Sequence, residues 1–359
     1  MSATPWDDEA FRARVQKALD AFLDEQAERL APLGADAARL IAEARISTSG
    51  GKRLRAAFCY WGYRGVRGEE LTPEEDEALI RAGAAVELLQ ASALVHDDVM
   101  DASDTRRGRP ASHRAFEAAH RDAGWHSDPR EYGVAAAILL GDLLLTWADE
   151  LLRRAGFDAE PTAAALRIFD ACRSEVIAGQ FLDVSVQARG RADVESAMTV
   201  LRYKSAKYSV ERPLHIGAAL AGADQPTLAT LSAFGLPVGE AFQLRDDQLG
   251  VFGDPEVTGK PAGDDLVEGK RTVLVALTLD AAAPEDAVLL DRALGTPLTP
   301  AEVERLRGII RGSGAEQQVE SVIAELTGVA VAGLERAHLD EGARGVLLSL
   351  AQAATQRSH

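Results

Sequence analysis

Three aspartates, Asp97, Asp98 and Asp101, close an apolar run at positions i, i+1 and i+4. On a helix Asp97 and Asp101 stack one turn apart on the same face. Like charges held that close raise each other's pKa, so the arrangement calls for a cation to neutralise it. Hard oxygen ligands at this spacing suit magnesium, which keeps several waters and shares its other positions with phosphate oxygens. Carboxylates at a helix C-terminus also oppose the macrodipole, which favours binding over surface decoration. Arg106, Arg107 and Arg109 follow directly, with Gly108 giving the backbone freedom to turn. Acidic residues that hold a metal, followed by forked guanidinium donors, are what a diphosphate needs.

A second apolar stretch, Leu231 to Leu249, carries Gln243, Asp246 and Asp247, and its continuation supplies Lys260, Asp265, Lys270 and Arg271. Gln243 and Asp246 are three apart and share a helix face. Two acidic helix ends, each followed by basic residues, could face each other across a bundle cavity, where metal sites are commonly built. A third group, Gly50-Gly51-Lys52-Arg53-Leu54-Arg55, opens a helix. Lys52 and Arg55 lie one turn apart and could close on a second anion; taken alone, an ordinary solvated helix start explains them equally well.

These groups need rigid elements to position them, and the sequence predicts helices throughout. Apolar residues recur at helical spacing, as in Phe11, Val15, Leu19, Phe22 and Leu23, and again in Val86, Leu89, Ala93 and Val95. No comparable strand pattern appears. Hydrophobic residues make up 47% of the chain and aromatics 5%, so Ala and Leu fill the interior, as helix packing permits. Breaks fall at Thr72-Pro73, Arg109-Pro110, Asp128-Pro129, Glu160-Pro161 and Pro297 to Pro300. With no long linker and no solenoid repeat, the 359 residues read as one all-α domain, an antiparallel helix bundle around a central cavity. Residues 273–359 are expected to be structural, and His120 to Tyr132 a surface loop.

Charge and cysteine count exclude several functions. A formal net charge of -17 argues against nucleic acid, which is bound through Lys and Arg clusters. Two separated cysteines, Cys59 and Cys172, offer no disulfide framework and fit a reducing cytoplasm. The N-terminus is too acidic for a signal peptide. The apolar run Val134 to Ala148 is broken by Asp142 and too short to span a bilayer. Glu117 to His120 spells Glu-x-x-His, but a di-iron bundle needs a second such pair, so both residues are expected at the surface. His96-Asp97 would suit a metal phosphohydrolase only with an upstream histidine, and His96 is the first in the chain; packing or bonding against its own helix is expected instead.

Taken together these segments resemble the trans-isoprenyl diphosphate synthases, or polyprenyl synthetases, and within them the geranylgeranyl diphosphate synthases. The likeness runs from about residue 50 to about 272, through GGKRLR (50–55), LVHDDVMDASDTRRG (94–108), GQFLD (179–183), YKSAKY (203–208) and FQLRDDQLGVFGDPEVTGKPAGDDLVEGKRT (242–272). The resemblance implies that Asp97, Asp98 and Asp101 form the first metal motif and Asp246 with Asp247 the second, with Asp246 carrying most of that burden. About three magnesium ions would hold an allylic diphosphate. Arg106, Lys204 and Lys260 would grip the same diphosphate, while Lys52, Arg55, Gln90 and Arg107 would hold isopentenyl diphosphate, with Lys270 also at the substrates. Lys204, Ser205 and Gln243 match positions facing the developing allylic cation, where Ser205 stands in for the commoner Thr. The family's second motif usually ends in Asp; Gly250 occupies that place.

The implied reaction ionises the allylic diphosphate, adds isopentenyl diphosphate and eliminates a proton, by electrostatic stabilisation of the leaving group. The helix leading to Asp97 would wall the growing tail, each turn adding about 5.4 Å of depth. Ser92 and Ala93 are small where short-chain enzymes carry an aromatic floor, so Val86, Leu88 or Leu89 would close the cavity deeper. Geranylgeranyl diphosphate is the expected product and a longer polyprenyl chain the next choice. A class I terpene cyclase and a regulatory subunit of a two-subunit synthase are the competing readings. The basic residues for a second diphosphate speak against the first, and the retained aspartates against the second. Homodimerisation is implied by the resemblance.

Overall fold

In the computed structural model, which describes residues 9–68, 70–190, 193–253 and 263–356, the chain is almost entirely helical. The elements are α1 (Glu9–Leu30), a 3-10 turn (Ala31–Leu33), α2 (Ala35–Thr48), α3 (Leu54–Arg67), α4 (Pro73–Met100), β1 (Thr105–Arg106), β2 (Arg109–Pro110), α5 (Ser112–Asp122), α6 (Pro129–Arg153), α7 (Ala159–Arg189) and α8 (Val194–Leu201). A π-helical segment (Arg202–Glu211) leads into α9 (Arg212–Leu220), α10 (Gln225–Phe252), α11 (Asp264–Glu268), α12 (Val273–Ala281), α13 (Pro284–Ala293), α14 (Pro300–Gly312), α15 (Ala315–Glu335) and α16 (Glu341–Thr355).

Helices start where the sequence punctuates. Pro73, Pro129 and Pro300 open α4, α6 and α14, positions where a missing N–H leaves no hydrogen bond unmade. Thr72 with Glu75, and Thr299 with Glu302, complete capping boxes at α4 and α14. Glu74, Glu75 and Asp76 then complement the dipole of α4 at its start.

The chain packs as two compact units. The first takes α1 to α6, α7 as far as Ile168, Pro213–Ala223 and Leu339–Val346. Here α4 packs chiefly against α6 and α3, burying Leu79, Val86, Leu88 and Leu89. Gly62 and Gly217 face backbone of Leu214 and Cys59 so closely that a Cβ at either would collide with it, which is how small residues bring these helices together. The second unit takes Phe169–Arg212, which begins with the rest of α7, and Asp224–His338 among its segments. Leu244 and Val251 of α10 sit in its core with Leu274, Leu290, Ile310 and Val319. Helices after residue 272 thus back the acidic end of α10.

Four expectations are corrected. The stretch after Asp101 folds into a two-strand hairpin, with Thr105 paired to Pro110 and Arg106 to Arg109. The surface loop at 120–132 shrinks to residues 123–128, because α5 runs through Asp122 and α6 starts at Pro129. Glu117 and His120 are buried: Glu117 binds Arg114 and Arg121, while the His120 ring contacts Trp125 and Tyr132. His96 reaches across to α6, with Nε2 3.2 Å from the Ile138 carbonyl oxygen and 3.4 Å from Asp142 Oδ1, instead of bonding its own helix. By length and composition α4, not the run near Val134, could cross a membrane, but 83% of its most apolar window is buried within the protein.

Candidate active site

The first cluster lies at the C-terminal end of α4. Asp97 and Asp101 are partly exposed, whereas Asp98 is 3% exposed and cannot remain charged there without a partner. Arg106, on β1, supplies it: Nε donates to Asp98 Oδ1 at 2.9 Å, Nη2 donates to the same atom, and Nη2 also lies 3.9 Å from Asp97 Oδ2. The tight hairpin makes this reach geometrically available, since Arg107 and Gly108 at its tip both take positive φ, 53° and 71°.

Arg107, one residue on, turns the other way. Its Nη1 donates to the carbonyl of Ser49 at 2.8 Å, and Gly51 leaves room for the guanidinium to lie against the loop. Partial desolvation and the like charges of Arg53, Arg106 and Arg55 lower the pKa of Arg107, while Glu87 opposes them. The loop before α3, the first turn of α3 and the hairpin tip therefore concentrate positive charge, as an anion site requires, with Glu87 of α4 the opposing carboxylate. Lys52 is exposed and Arg55 half-buried at its edge; Gln90, seven residues before Asp97, is the half-buried polar group on that face of α4.

Beneath the loop lies a pair that sequence reasoning missed. Arg53 is 5% exposed with φ 55°, and its Nη1 meets Glu87 Oε2 at 3.1 Å. Arg53 Nη2 donates to the Thr48 carbonyl, and Glu87 Oε1 accepts from the Ala56 amide at 3.2 Å. Glu87 thus fixes the chain on both sides of Arg55. A lone carboxylate midway along the apolar α4 was the available signal, because a buried charge demands a partner.

In the second unit the π-helical segment passes against α7 and α10. Gly179 of α7 and Gly239 of α10 approach its backbone so closely that a Cβ would collide with Lys204 and Ala206. Four residues beyond each glycine stands a polar partner. Asp183 takes Lys204 Nζ at 2.6 Å, and Gln243 accepts from Ser205 Oγ. Gln243 Nε2 in turn donates to Asp247 Oδ1 at 2.7 Å. Such a long π-helix is rare, and π geometry is frequent at functional sites. Asp183 was legible only as part of the GQFLD segment.

Asp247 is buried, and burial together with the negative charges of Asp265 and Asp246 pushes its pKa up to about 8. Lys270 lies 3.5 Å from Asp265 and 2.6 Å from Glu268. Excess negative charge around one buried carboxyl, built of hard oxygen donors, fits a divalent cation. Among the described residues no three His, Cys, Asp or Glu side chains converge tightly enough to cage an ion alone. Lys260 lies outside the described residues.

On the predicted wall, Val86, Leu88 and Leu89 are buried and Ala93 is partly exposed on the side of α4 that carries Gln90 and Asp97. Ser92 is turned away, its hydroxyl donating to the Gly141 carbonyl of α6 at 2.8 Å.

Residues 40–310 match the family profile described as Polyprenyl synthetase. The chain is 31% identical to a short chain isoprenyl diphosphate synthase of Methanothermobacter thermautotrophicus, over 89% of this chain and 90% of that one. It is 35% identical to a geranylgeranyl diphosphate synthase of Sulfolobus acidocaldarius, over 70% and 69%. Its fold superposes, with a TM-score of 0.94, on a geranylgeranyl pyrophosphate synthase from Corynebacterium glutamicum complexed with isoprenyl diphosphate and magnesium, at 41% identity and covering 97% and 98% of the chains.

Proposed function

The chain belongs to the polyprenyl synthetase family, and from that premise we propose that it is a magnesium-dependent trans-prenyltransferase condensing isopentenyl diphosphate with an allylic diphosphate, chiefly to geranylgeranyl diphosphate. The observation that carries the reading is the divergence of two adjacent arginines. Arg106 joins the acidic end of α4, and Arg107 joins the basic loop at Ser49. One hairpin thus serves two anions, as a reaction between two diphosphates requires and a cyclase with one does not.

In this reading Asp97, Asp98, Asp101 and Asp246 would hold about three magnesium ions, with Asp247 supporting the second set. Bound magnesium would neutralise the charge that develops on the departing diphosphate. Arg106, Lys204 and Lys260 grip that diphosphate by charge-assisted hydrogen bonds, and Lys270 also serves the substrates. Lys52, Arg55, Gln90 and Arg107 hold isopentenyl diphosphate with its double bond at attacking distance from the allylic carbon. Ser205 and Gln243 present oxygens towards the electron-poor allylic carbon, and Asp183 orients Lys204. The proton lost at the end passes to the released diphosphate.

The family match runs through segments of both units, which supports one prenyltransferase domain with residues 50–272 bearing the motifs and 273–359 supporting them. Cys59 and Cys172 are buried thiols outside any disulfide, in keeping with a reducing cytoplasm. Ile138 and Leu139, exposed on α6, support a homodimer. Incubating the purified protein with labelled isopentenyl diphosphate and each short allylic starter tests the proposal. A product of geranylgeranyl length supports it. Hydrocarbons formed without isopentenyl diphosphate would indicate a cyclase, and no turnover with any starter a regulatory subunit.

A further inference from the structure

The π-helical segment that carries Lys204 and Ser205 runs for ten residues, Arg202–Glu211. π geometry is rare and mostly confined to single turns, so a stretch of this length must be held by groups outside its own backbone. At its start Arg202 Nε donates to Glu240 Oε1 of α10 at 2.6 Å. One pair at one end fixes a position but not a winding.

Glu175 of α7 reads the winding. Its Oε1 accepts from Lys207 Nζ at 2.6 Å and from Arg212 Nη2 at 2.7 Å, and its Oε2 accepts from Arg212 Nε at 2.7 Å. Lys207 and Arg212 are five apart. On an α-helix five residues turn about 500°, which leaves the two side chains about 140° apart, pointing away from any shared carboxylate. On a π-helix the hydrogen bond joins residues five apart, so those two stack. The Arg212 amide donates to the Lys207 carbonyl in that pattern, and the side chains of the same two residues close on Glu175. Burial would raise the Glu175 pKa, but hydrogen bonds and charge from Arg212 and Lys207 outweigh it and hold the pKa down. The carboxylate that bridges them is therefore ionised.

We propose that Glu175 is a positioning residue for prenyl transfer: by binding Lys207 and Arg212 together it holds the segment in π register, and that register keeps Lys204 on Asp183 of α7 while Ser205, next in sequence, meets Gln243 of α10. This rests on the reading above that Lys204 and Ser205 face the departing diphosphate and the allylic carbon. Without the bridge the segment winds towards α, and both side chains turn.

The test is steady-state kinetics well below the thermal midpoint of each variant, with KM for each substrate recorded beside kcat. Glu175→Gln removes the charge and sets an NH2 group against a cation. Its kcat should fall about 10²-fold, the cost of a displacement of about 1 Å at reacting groups, with KM for isopentenyl diphosphate near that of wild type. Glu175→Asp keeps both oxygens and should recover part of the loss. Lys207→Met leaves the Arg212 fork on Glu175, so it folds even where Glu175→Gln does not, and its kcat should fall about tenfold. In the Glu175→Gln background Lys204→Ala should cost less than in wild type, because a displaced lysine has less to lose. A wild-type kcat in Glu175→Gln or in Lys207→Met, or an equal cost of Lys204→Ala in both backgrounds, would overturn the proposal. Lys204→Ala alone separates the two levels. If it lowers kcat while Glu175→Gln does not, only this inference fails; if it leaves kcat unchanged, the reading of the segment as part of the site falls too.

Discussion

Arg53 and Glu87 meet at 3.1 Å in a buried ion pair under the loop that carries Lys52 and the first turn of α3 that carries Arg55. Charge and position give opposite expectations for its removal. By charge alone, loss of Glu87 leaves a more positive site and tighter anion binding. By position, Arg53 and the Ala56 amide lose their anchor and the loop drifts. Breaking a buried pair costs about 3–5 kcal/mol, more than surface charge effects supply, so position should win. Glu87→Ala should raise KM for isopentenyl diphosphate about tenfold, worth about 1.4 kcal/mol, and leave KM for the allylic substrate nearly unchanged. Steady-state kinetics with each substrate varied in turn checks this; a lower KM for isopentenyl diphosphate would refute it.

Asp97→Ala should lower kcat by more than about 10²-fold, the scale seen when one preorganised electrostatic contact to a transition state is removed. The fold should survive. Asp97 is only partly buried and stands among like charges, so its loss relieves repulsion. A thermal midpoint at or above that of wild type, measured beside the kinetics, separates a lost metal contact from a lost structure.

Ala93 and Ser92 are neighbours with different tasks. The Ser92 hydroxyl is bonded to Gly141 of the packed α6, whereas Ala93 shares the more open face of α4 with Asp97. Ala93→Phe should shorten the product with little change in stability. Ser92→Phe should instead overpack the contact with α6 and cost about 1–3 kcal/mol. Product analysis by chromatography and urea unfolding of both variants distinguish them. Equal shortening by both would put Ser92 in the wall after all.

The motifs were legible because their chemistry is local. Asp97, Asp98 and Asp101 advertise themselves by spacing along one helix, and Pro73, Pro129 and Pro300 mark helix starts by what proline cannot do. Glu87, Asp183 and Glu175 were not assigned roles, because each matters through a partner remote in sequence: Arg53, Lys204, and Lys207 with Arg212. The hairpin at Arg107 escaped for a related reason. Two-residue strands have no alternation to read, and their signal is a pair of positive φ values that only the folded backbone displays.

Asp247 makes stability depend on pH. Its pKa rises from 3.8 to about 8, so between these values the folded protein holds a proton that the unfolded chain has released. The group's contribution is complete below about pH 4 and drains away as pH climbs towards about 8. Without metal, wild type should lose stability relative to Asp247→Asn from pH 5 to pH 8. Added magnesium with pyrophosphate should narrow that gap, because a cation favours the ionised carboxylate. Urea unfolding at the two pH values, with and without these additions, reads it directly; a gap that stays flat with pH would show Asp247 ionised throughout.

Gly239 sets how near the π-helical segment comes to α10. Its Cβ position lies against backbone at Ala206, which cannot swing aside as a side chain can, so Gly239→Ala must push the segment outward. Ser205 and Gln243 would then lose the hydrogen bond that joins them and, through Gln243, the link to Asp247. A displacement of about 1 Å at reacting groups costs about 10²-fold, so kcat should fall on that scale. Gly328→Ala, in open space on α15, is the control and should be neutral or slightly stabilising. If the glycine acts by placing Ser205, then Ser205→Ala should do little more in the Gly239→Ala background than Gly239→Ala does alone. Additive losses in that double-mutant cycle would mean that Gly239 only packs the helix and that Ser205 acts independently of it.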